Sequence, residues 1–194
     1  MGNSLENVLT DVSACRICEK DLPLGPRPVV RASSTARLLI IGQAPGTKVH
    51  ETGIPWNDAS GDRLRQWLGV DQQTFYDQDR IAIMPMGFCY PGRNPKGGDH
   101  PPRPECAPQW HDRLYKHLHA IEMTLLVGSY AQAYYLKGFR RKTMTETCRA
   151  WRDYGPTLMP TPHPSWRTTF WMKKNPWFES DLLPVLQERV HRLI

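Results

Sequence analysis

With 194 residues, the chain is long enough to bury one sizeable core, and we expect a single domain over residues 1–194. No apolar run approaches the roughly 18 residues needed to cross a bilayer, which excludes a membrane-spanning protein and predicts no membrane partner. A net charge of +6 and a pI near 9.2 favour a polyanionic partner, and nucleic acid before an anionic membrane surface.

The apolar pattern along the chain predicts helices that alternate with four strands. The strands are predicted at 37–42, 80–86, 123–128 and 157–161. The helices are predicted at 4–14, about 60–68 with Ser60 as N-cap, 107–120, 129–136, 143–151 and about 178–191. This order is typical of an α/β, three-layer sandwich with a central, mostly parallel four-stranded sheet flanked by helices. Its ligand crevice is expected beyond the carboxyl ends of the strands.

The first predicted strand ends in a short loop bounded by two glycines, Gly42-Gln-Ala-Pro-Gly46. The glycines would let backbone N–H groups approach a ligand closely, and Pro45 would stiffen the loop between them. An ordinary strand-to-helix turn explains the same residues equally well. The segment alone therefore leaves a ligand-binding loop and a simple turn open.

Four of the five cysteines form two pairs in predicted loops. Cys15 and Cys18 have C-x-x-C spacing, whereas Cys89 and Cys106 lie at the two ends of a long Pro- and Gly-rich loop. Such a set suits a tetrahedral zinc or an iron–sulfur cluster, and the spacing does not distinguish them. Unrelated buried or surface cysteines are the alternative. Cys148, in a predicted helix, is expected to be a packing residue.

The compartment follows from the N-terminus and the cysteines. The first residues lack the basic and apolar regions of a signal peptide, which predicts a cytoplasmic protein. In the cytoplasm, cysteines are metal ligands or buried thiols more often than disulfides. We expect a monomer.

One histidine stands between two prolines, in Pro162-His-Pro-Ser165. An imidazole presented from such a rigid loop can donate a hydrogen bond to developing negative charge. A structural histidine in a proline turn is the alternative. The other histidines are predicted to be solvated: His50, His100, His111, His117, His119 and His191.

Aromatic and basic residues follow this histidine in Trp166-Arg-Thr-Thr-Phe-Trp-Met-Lys-Lys174. Arg93 lies in the loop from Cys89 to Cys106, which we call the cysteine loop. Cationic side chains bind phosphates, and exposed aromatic side chains stack on bases or wedge into a duplex. A solvated basic loop above buried aromatic residues is the alternative.

Three separated motifs occur in order: Gly42-Gln-Ala-Pro-Gly46, Gly53-x-Pro-Trp-x-x-Ala-x-Gly61 and His163-Pro-Ser165. Together with the four interleaved cysteines, they resemble the uracil-DNA glycosylase superfamily, most closely its iron–sulfur branch, family 4. The likeness runs from Cys15 to about Arg167. It implies that a damaged base is flipped out of DNA into a pocket at the strand ends, where its N-glycosidic bond is hydrolysed.

The resemblance also implies roles for particular residues. His163 would hydrogen-bond the base oxygen on which negative charge grows, and Trp56 would stack on the base where the family has Phe. The loop residues Gly42, Gln43 and Ala44 would form the floor of the base pocket. Further DNA contacts would come from Ser165, Trp166, Arg167 and Arg93. A structural [4Fe–4S] cluster, rather than zinc, would be held by Cys15, Cys18, Cys89 and Cys106.

Two positions depart from the family pattern. Gln43 stands where the family has an acid, and an amide cannot act as a general base, so Asp58 or Glu51 is expected to position the water instead. Pro85 stands where the family has an Asn that reads the uracil edge, and Asn57 is the candidate substitute. The excised base is therefore expected to be uracil or a related altered base.

The sequence thus predicts a base-excision DNA glycosylase. The alternative is a lesion- or single-strand-DNA-binding protein of the same fold with little or no turnover, which the loss of the acid and of the Asn favours. Some members of the superfamily instead cross-link to the sugar through a histidine on a basic loop. The basic segment 137–142 contains no histidine, which argues against that reaction.

Overall fold

The computed structural model describes residues 4–194 and contains one sheet of four strands. The strands are β1 Leu38–Ile41, β2 Ile81–Ile83, β3 Met123–Val127 and β4 Leu158–Thr161. Their order is β2-β1-β3-β4, and all neighbours are parallel. The predicted sheet is confirmed, although each strand is shorter than predicted. Residues 1–3 lie outside the described residues. They include the start of the predicted domain and part of the N-terminus that was predicted to lack a signal peptide.

Nine α-helices occur within residues 4–194. They are α1 Leu5–Ser13, α2 Thr47–Thr52, α3 Ala59–Leu68, α4 Gln72–Tyr76, α5 Cys106–Tyr115, α6 Ser129–Tyr135, α7 Met144–Arg149, α8 Thr168–Lys174 and α9 Leu183–Leu193. The sequence reasoning missed α2, α4 and α8, which are five to seven residues long, although it predicted α6 and α7, which are equally short. A turn of π-helix, Phe178–Leu182, precedes α9. Each of these helices is too short or too polar to cross a bilayer.

The N-cap predicted for α3 is wrong. Asp58, not Ser60, caps this helix, and its side-chain Oδ1 accepts the backbone N–H of Gly61 at 2.8 Å. Asp58 has the extended backbone that an N-cap residue needs, which places the helix start two residues earlier than predicted. Thr143, by contrast, lies at the start of the predicted helix 143–151 and caps α7 in a reciprocal capping box with Glu146.

The buried strands separate two apolar clusters, one on each face of the sheet. Leu39 and Ile41 of β1 pack with residues of α1, α5 and α6, whereas Leu38 and Ile40 pack with residues of α3, α4 and α9. Successive side chains of a strand point to opposite faces, so β1 alone contributes to both cores. Helices therefore cover both faces, which confirms the three-layer arrangement and leaves the strand ends free to form a site.

Candidate active site

A cavity of about 470 Å³ opens at the carboxyl ends of the strands, and we call it the strand-end cavity. It is where a parallel sheet is expected to bind its ligand. The structure brings together nine of the predicted site residues in its lining: Gly42, Gln43, Ala44, Trp56, Asp58, His163, Ser165, Trp166 and Arg167. Asn57 and Arg93 are not among the lining residues.

Trp56 has an unusual backbone that fixes its ring inside this cavity. Its φ of 57° is the only positive φ of a non-glycine residue within residues 4–194. A methyl group on Gly42 would lie 2.7 Å from the Trp56 ring, and one on Gly61 would lie 1.7 Å from the Trp56 carbonyl oxygen. Both positions therefore require glycine. Strained backbone of this kind is typical of functional sites, where the surrounding structure holds it in place.

His163 faces Trp56, with the two ring centroids 5.5 Å apart. Its loop is held from within, because the backbone N–H of Ser165 donates to the His163 carbonyl at 2.8 Å and the Thr168 hydroxyl donates to the same oxygen. Burial lowers the pKa of His163, and the nearby Asp58 carboxylate only partly offsets this. The imidazole is therefore neutral at neutral pH and keeps one N–H donor.

The glycine loop is tied to the segment that follows β2. The backbone N–H groups of Met86 and Gly87 donate to the carbonyls of Gly42 and Gln43, at 2.9 and 3.0 Å. Pro85 lines the cavity, but its carbonyl lies 3.0 Å from His111 Nε2, which must carry the proton because a carbonyl can only accept. Pro85 therefore has no polar side chain that could read a base, and its carbonyl oxygen already accepts a hydrogen bond from His111.

Two carboxylates line the cavity, and sequence reasoning named only one of them. Asp58 is there, with one oxygen engaged as the cap of α3. Glu51, the other candidate named from sequence, is exposed on α2 and does not line the cavity. Asp99 was missed; it comes from the long loop between Cys89 and Cys106. The signal for it was weak, because many polar residues share that loop.

Exposed aromatic and basic side chains lie in the lining of the cavity and on α8, which follows it in the chain. Trp166 is 68% exposed and Phe170 on α8 is 63% exposed. The Arg167 guanidinium lies 5.4 Å from the Trp166 ring centroid, and the Lys173 ammonium lies 5.9 Å from that of Phe170. These aromatic residues are thus presented to solvent rather than buried beneath a basic loop.

A family model described as the uracil DNA glycosylase superfamily matches residues 30–187. The chain belongs to the uracil DNA glycosylase superfamily. The match contains all four strands and every predicted residue that lines the strand-end cavity. It begins after Cys15 and Cys18, so the first cysteine pair of this superfamily member lies outside the matched region.

The two cysteine pairs nevertheless meet in the glycosylase fold. Cys15, Cys18, Cys89 and Cys106 line one small cavity, the cysteine cavity, and all are free thiols. Its other walls are mostly apolar, from Ile17, Leu22, Pro26, Pro28, Phe88 and Trp110. Within residues 4–194 no three His, Cys, Asp or Glu side chains are grouped closely enough to hold a single metal ion. Cys148 is buried in α7, apart from this cavity.

Burial raises the pKa of the innermost thiols, to about 12 for Cys106 and about 11 for Cys89. The pKa of Cys18 is also raised, first by burial and then by the Glu105 carboxylate, which lies 3.7 Å from its sulfur. Thiols that bind a metal must lose their protons. In kind and number, four thiols in an apolar enclosure fit either a zinc ion or an iron–sulfur cluster.

The prediction that six histidines are solvated is wrong for His111, which is 1% exposed. It lies on the inward face of α5, stacked on Phe88, with Nδ1 2.6 Å from the Tyr135 hydroxyl. Apolar residues at every third or fourth position would have indicated that this face of α5 is buried, but the helix mixes charged and aromatic residues. His50 and His117 are half-buried, and the remaining three of the six are exposed.

Proposed function

We propose that this chain is a DNA glycosylase of base-excision repair, which hydrolyses the N-glycosidic bond of uracil or a related altered base. One observation carries the proposal: the Trp56 ring, the glycine loop and a neutral His163 meet in one cavity at the strand ends. A planar base extruded from DNA can stack on an indole. The same base would place its oxygen within reach of an imidazole donor.

The chemistry follows from what these residues can do. As the glycosidic bond breaks, its electron pair leaves with the base, and the sugar becomes cationic at C1′. His163 donates a hydrogen bond to the base oxygen that gains negative charge, and the backbone N–H groups of Gln43 and Ala44 lie in the same wall. Donors fixed before the reaction stabilise such charge most effectively. Water then completes the hydrolysis by adding to C1′.

The exposed side chains at the cavity mouth are suited to holding the DNA. Trp166, at 68% exposure, can fill the gap that the extruded base leaves in the stack. Arg167 beside it can bind a flanking phosphate. The net charge of +6 acts in the same direction over a longer range.

The range of bases should be broader than uracil alone. Pro85 and the buried Met86 present no polar side chain to a base edge, and Asn57 does not line the cavity. Base selection then depends on the shape of the part of the strand-end cavity between the Trp56 ring and His163, which we call the base slot. For this reason we propose uracil or another deaminated base as the substrate class.

We also propose that Cys15, Cys18, Cys89 and Cys106 hold a [4Fe–4S] cluster, as in the family 4 branch that the chain resembles. The four thiols share one apolar cavity, and they come from two loops that are distant in sequence. When bound, the cluster supplies a cross-link between these loops and takes no part in the hydrolysis. The cytoplasmic location and the monomeric state remain predictions.

The second candidate is a protein that binds lesions or single strands with little turnover. Gln43 favours it, because the amide cannot take a proton from water. Binding would then use the same aromatic mouth and the same base slot, without hydrolysis.

A base-release assay separates the two candidates. Oligonucleotides containing uracil, hypoxanthine or xanthine, each single- and double-stranded, are incubated with excess protein, and abasic sites are revealed by alkaline cleavage. We expect release from at least one of them by the wild-type protein. His163→Ala should lower the rate by about 10²–10³-fold, the usual cost of removing one preorganised donor.

His119→Ala is the matched control, because His119 is exposed and lies outside the strand-end cavity. It should leave the rate unchanged. Absence of release from every substrate, with DNA binding retained in an anisotropy assay, would replace the enzyme by the binding protein.

A further inference from the structure

Hydrolysis requires a group that takes a proton from water, and this requirement rests on the proposed function. Gln43 cannot meet it. A substitute has to be a carboxylate that reaches the strand-end cavity, and among the described residues these are Asp58 and Asp99.

Asp99 is held in place by a small hairpin within the cysteine loop. Arg93 and Asp99 form an antiparallel bridge, and the backbone N–H of His100 donates to the Gly92 carbonyl at 2.8 Å. The tip turns through Gly97 and Gly98, whose φ values of 100° and 78° suit glycine. Both glycines line the strand-end cavity, so the hairpin reaches over its mouth.

The hairpin brings the Asp99 carboxylate against the glycine loop. A methyl group on Gly46 would lie 3.5 Å from Asp99 Oδ2. Asp99 therefore stands beside the loop whose second residue, Gln43, has lost the acid of the family motif. It keeps contact with solvent, so a water molecule can reach it.

The charged groups around Asp99 favour a carboxylate that can accept a proton. Partial burial raises its pKa above the ordinary value, and Asp58 acts in the same direction, whereas Arg93 and His100 oppose them. Asp58 is the less suitable base, because its Oδ1 already accepts the Gly61 N–H that starts α3.

We propose that Asp99 orients the attacking water and accepts its proton. The water oxygen forms a bond to C1′ of the extruded nucleotide, and the C1′–N bond breaks with its electron pair leaving on the base. The proton lost by the water passes to the Asp99 carboxylate. The cysteine loop thereby supplies the acid that the glycine loop lacks.

The test uses the full chain and the substrate that the wild-type protein cleaves fastest, under single-turnover conditions. Asp99→Asn should lower the rate constant by about 10²–10⁴-fold, the usual contribution of a general base. Affinity for DNA carrying a tetrahydrofuran abasic analogue should not change, because only a proton acceptor is removed. Glu179→Gln, the same exchange at an exposed position outside the cavity, should have the wild-type rate.

Two further readouts separate catalysis from mere support of the hairpin. The wild-type rate should fall as the pH drops through the raised pKa of Asp99, and Asp99→Asn should lose this acid limb. The double variant Gln43→Glu with Asp99→Asn, which returns a carboxylate to the glycine loop, should recover at least about tenfold over Asp99→Asn alone.

Each other outcome overturns the assignment. A wild-type rate in Asp99→Asn would overturn it alone and leave the glycosylase intact. A larger loss in Asp58→Asn, which keeps the helix cap, than in Asp99→Asn would move the role to Asp58. No release by the wild-type protein would overturn the proposed function itself, and this assignment with it.

Discussion

The strand-end cavity takes its walls from the ends of β1 and β4 and from the start of α3, whereas the cysteine cavity is enclosed by loops and by the first turn of α5. The sheet fixes the first cavity directly, because strands with buried neighbours cannot shift. Loops have fewer hydrogen bonds and contacts of their own. The second cavity therefore depends on whatever joins its four thiols, whereas the walls that the strands and α3 give to the first cavity do not.

One loop connects the two cavities. Its ends carry Cys89 and Cys106, while its tip places Gly97, Gly98 and Asp99 at the strand-end cavity. Damage to the cysteine cavity should thus reach the active site through this loop. Damage to the base slot should not affect the cysteine cavity. This asymmetry can be tested by a variant in each cavity.

Among the variants that test this asymmetry, Cys89→Ser is expected to have the largest effect. Removing one of its four ligands should abolish the broad visible absorbance of the proposed cluster and most of the iron that it would bring. Base release should fall by about 100-fold, because the Asp99 hairpin loses an anchor at one end of its loop. Visible spectra, iron analysis and the single-turnover rate measure the three effects.

Cys148→Ser is the matched control for this experiment. Cys148 is buried in α7, outside the cysteine cavity, so colour and iron should remain. A colourless, zinc-loaded wild-type protein would contradict the cluster, and full base release by a colourless Cys89→Ser protein would contradict the coupling between the cavities.

Gly61→Ala is the converse test, because it disturbs the base slot and leaves the cysteine cavity unchanged. Alanine in a helix normally gains about 1 kcal/mol over glycine. Here its methyl group would lie 1.7 Å from the Trp56 carbonyl oxygen, so the backbone has to move. We expect a net loss of about 3 kcal/mol in the free energy of unfolding by urea.

Base release by Gly61→Ala should fall, whereas its visible absorbance should equal that of the wild-type protein. Gly138→Ala serves as the comparison, because nothing lies within 4 Å of the added methyl group. Equal stability of the two variants would show that Trp56 is not held by this contact, and loss of colour in Gly61→Ala would remove the asymmetry.

A smaller effect is expected at His111, which links the two regions by bonding Pro85 from the helix that begins at Cys106. Burial lowers its pKa from 6.5 to about 4, against the opposing effects of the hydrogen bond to the Pro85 carbonyl and, more weakly, of the Asp112 carboxylate. The unfolded chain therefore binds the extra proton first as the pH falls. The stability that His111 contributes is complete above pH 6.5 and decreases towards pH 4.

Between pH 7 and pH 5, this linkage amounts to about 2 kcal/mol of unfolding free energy. His111→Phe keeps a ring against Phe88 but cannot titrate, so its stability should change less over that range, although its absolute stability is lower. Urea unfolding at several pH values measures the difference. Parallel curves for the two proteins would show that His111 is not the titrating group.

The sheet could be predicted from sequence because its strands are short and mostly apolar, and each is followed within two residues by glycine or proline. The same signals located the glycine loop and His163, since parallel strands end at one edge. Asp99 could not be located, because its position depends on how the 18-residue stretch from Cys89 to Cys106 turns at Gly97 and Gly98. A sequence shows that such a loop exists but not which side chain its tip presents.

Trp56 shows a different limit of sequence reasoning. Its aromatic character was visible, but its positive φ was not, since a bulky residue rarely adopts that conformation. The start of α3 was misplaced for a related reason. Asp58 and Ser60 are both good caps, and the choice between them depends on how closely Gly61 packs against Trp56.

The Trp56 ring is immobilised between Gly42 and its own strained backbone before any DNA arrives. A base that enters the slot then meets a stacking surface that is already formed, and the protein loses little side-chain entropy on contact. Most of the free energy needed for capture is that of unpairing and unstacking the base in the DNA. Weakly paired and single-stranded positions are consequently favoured by the DNA's own stability, before any polar group of the protein distinguishes one base from another.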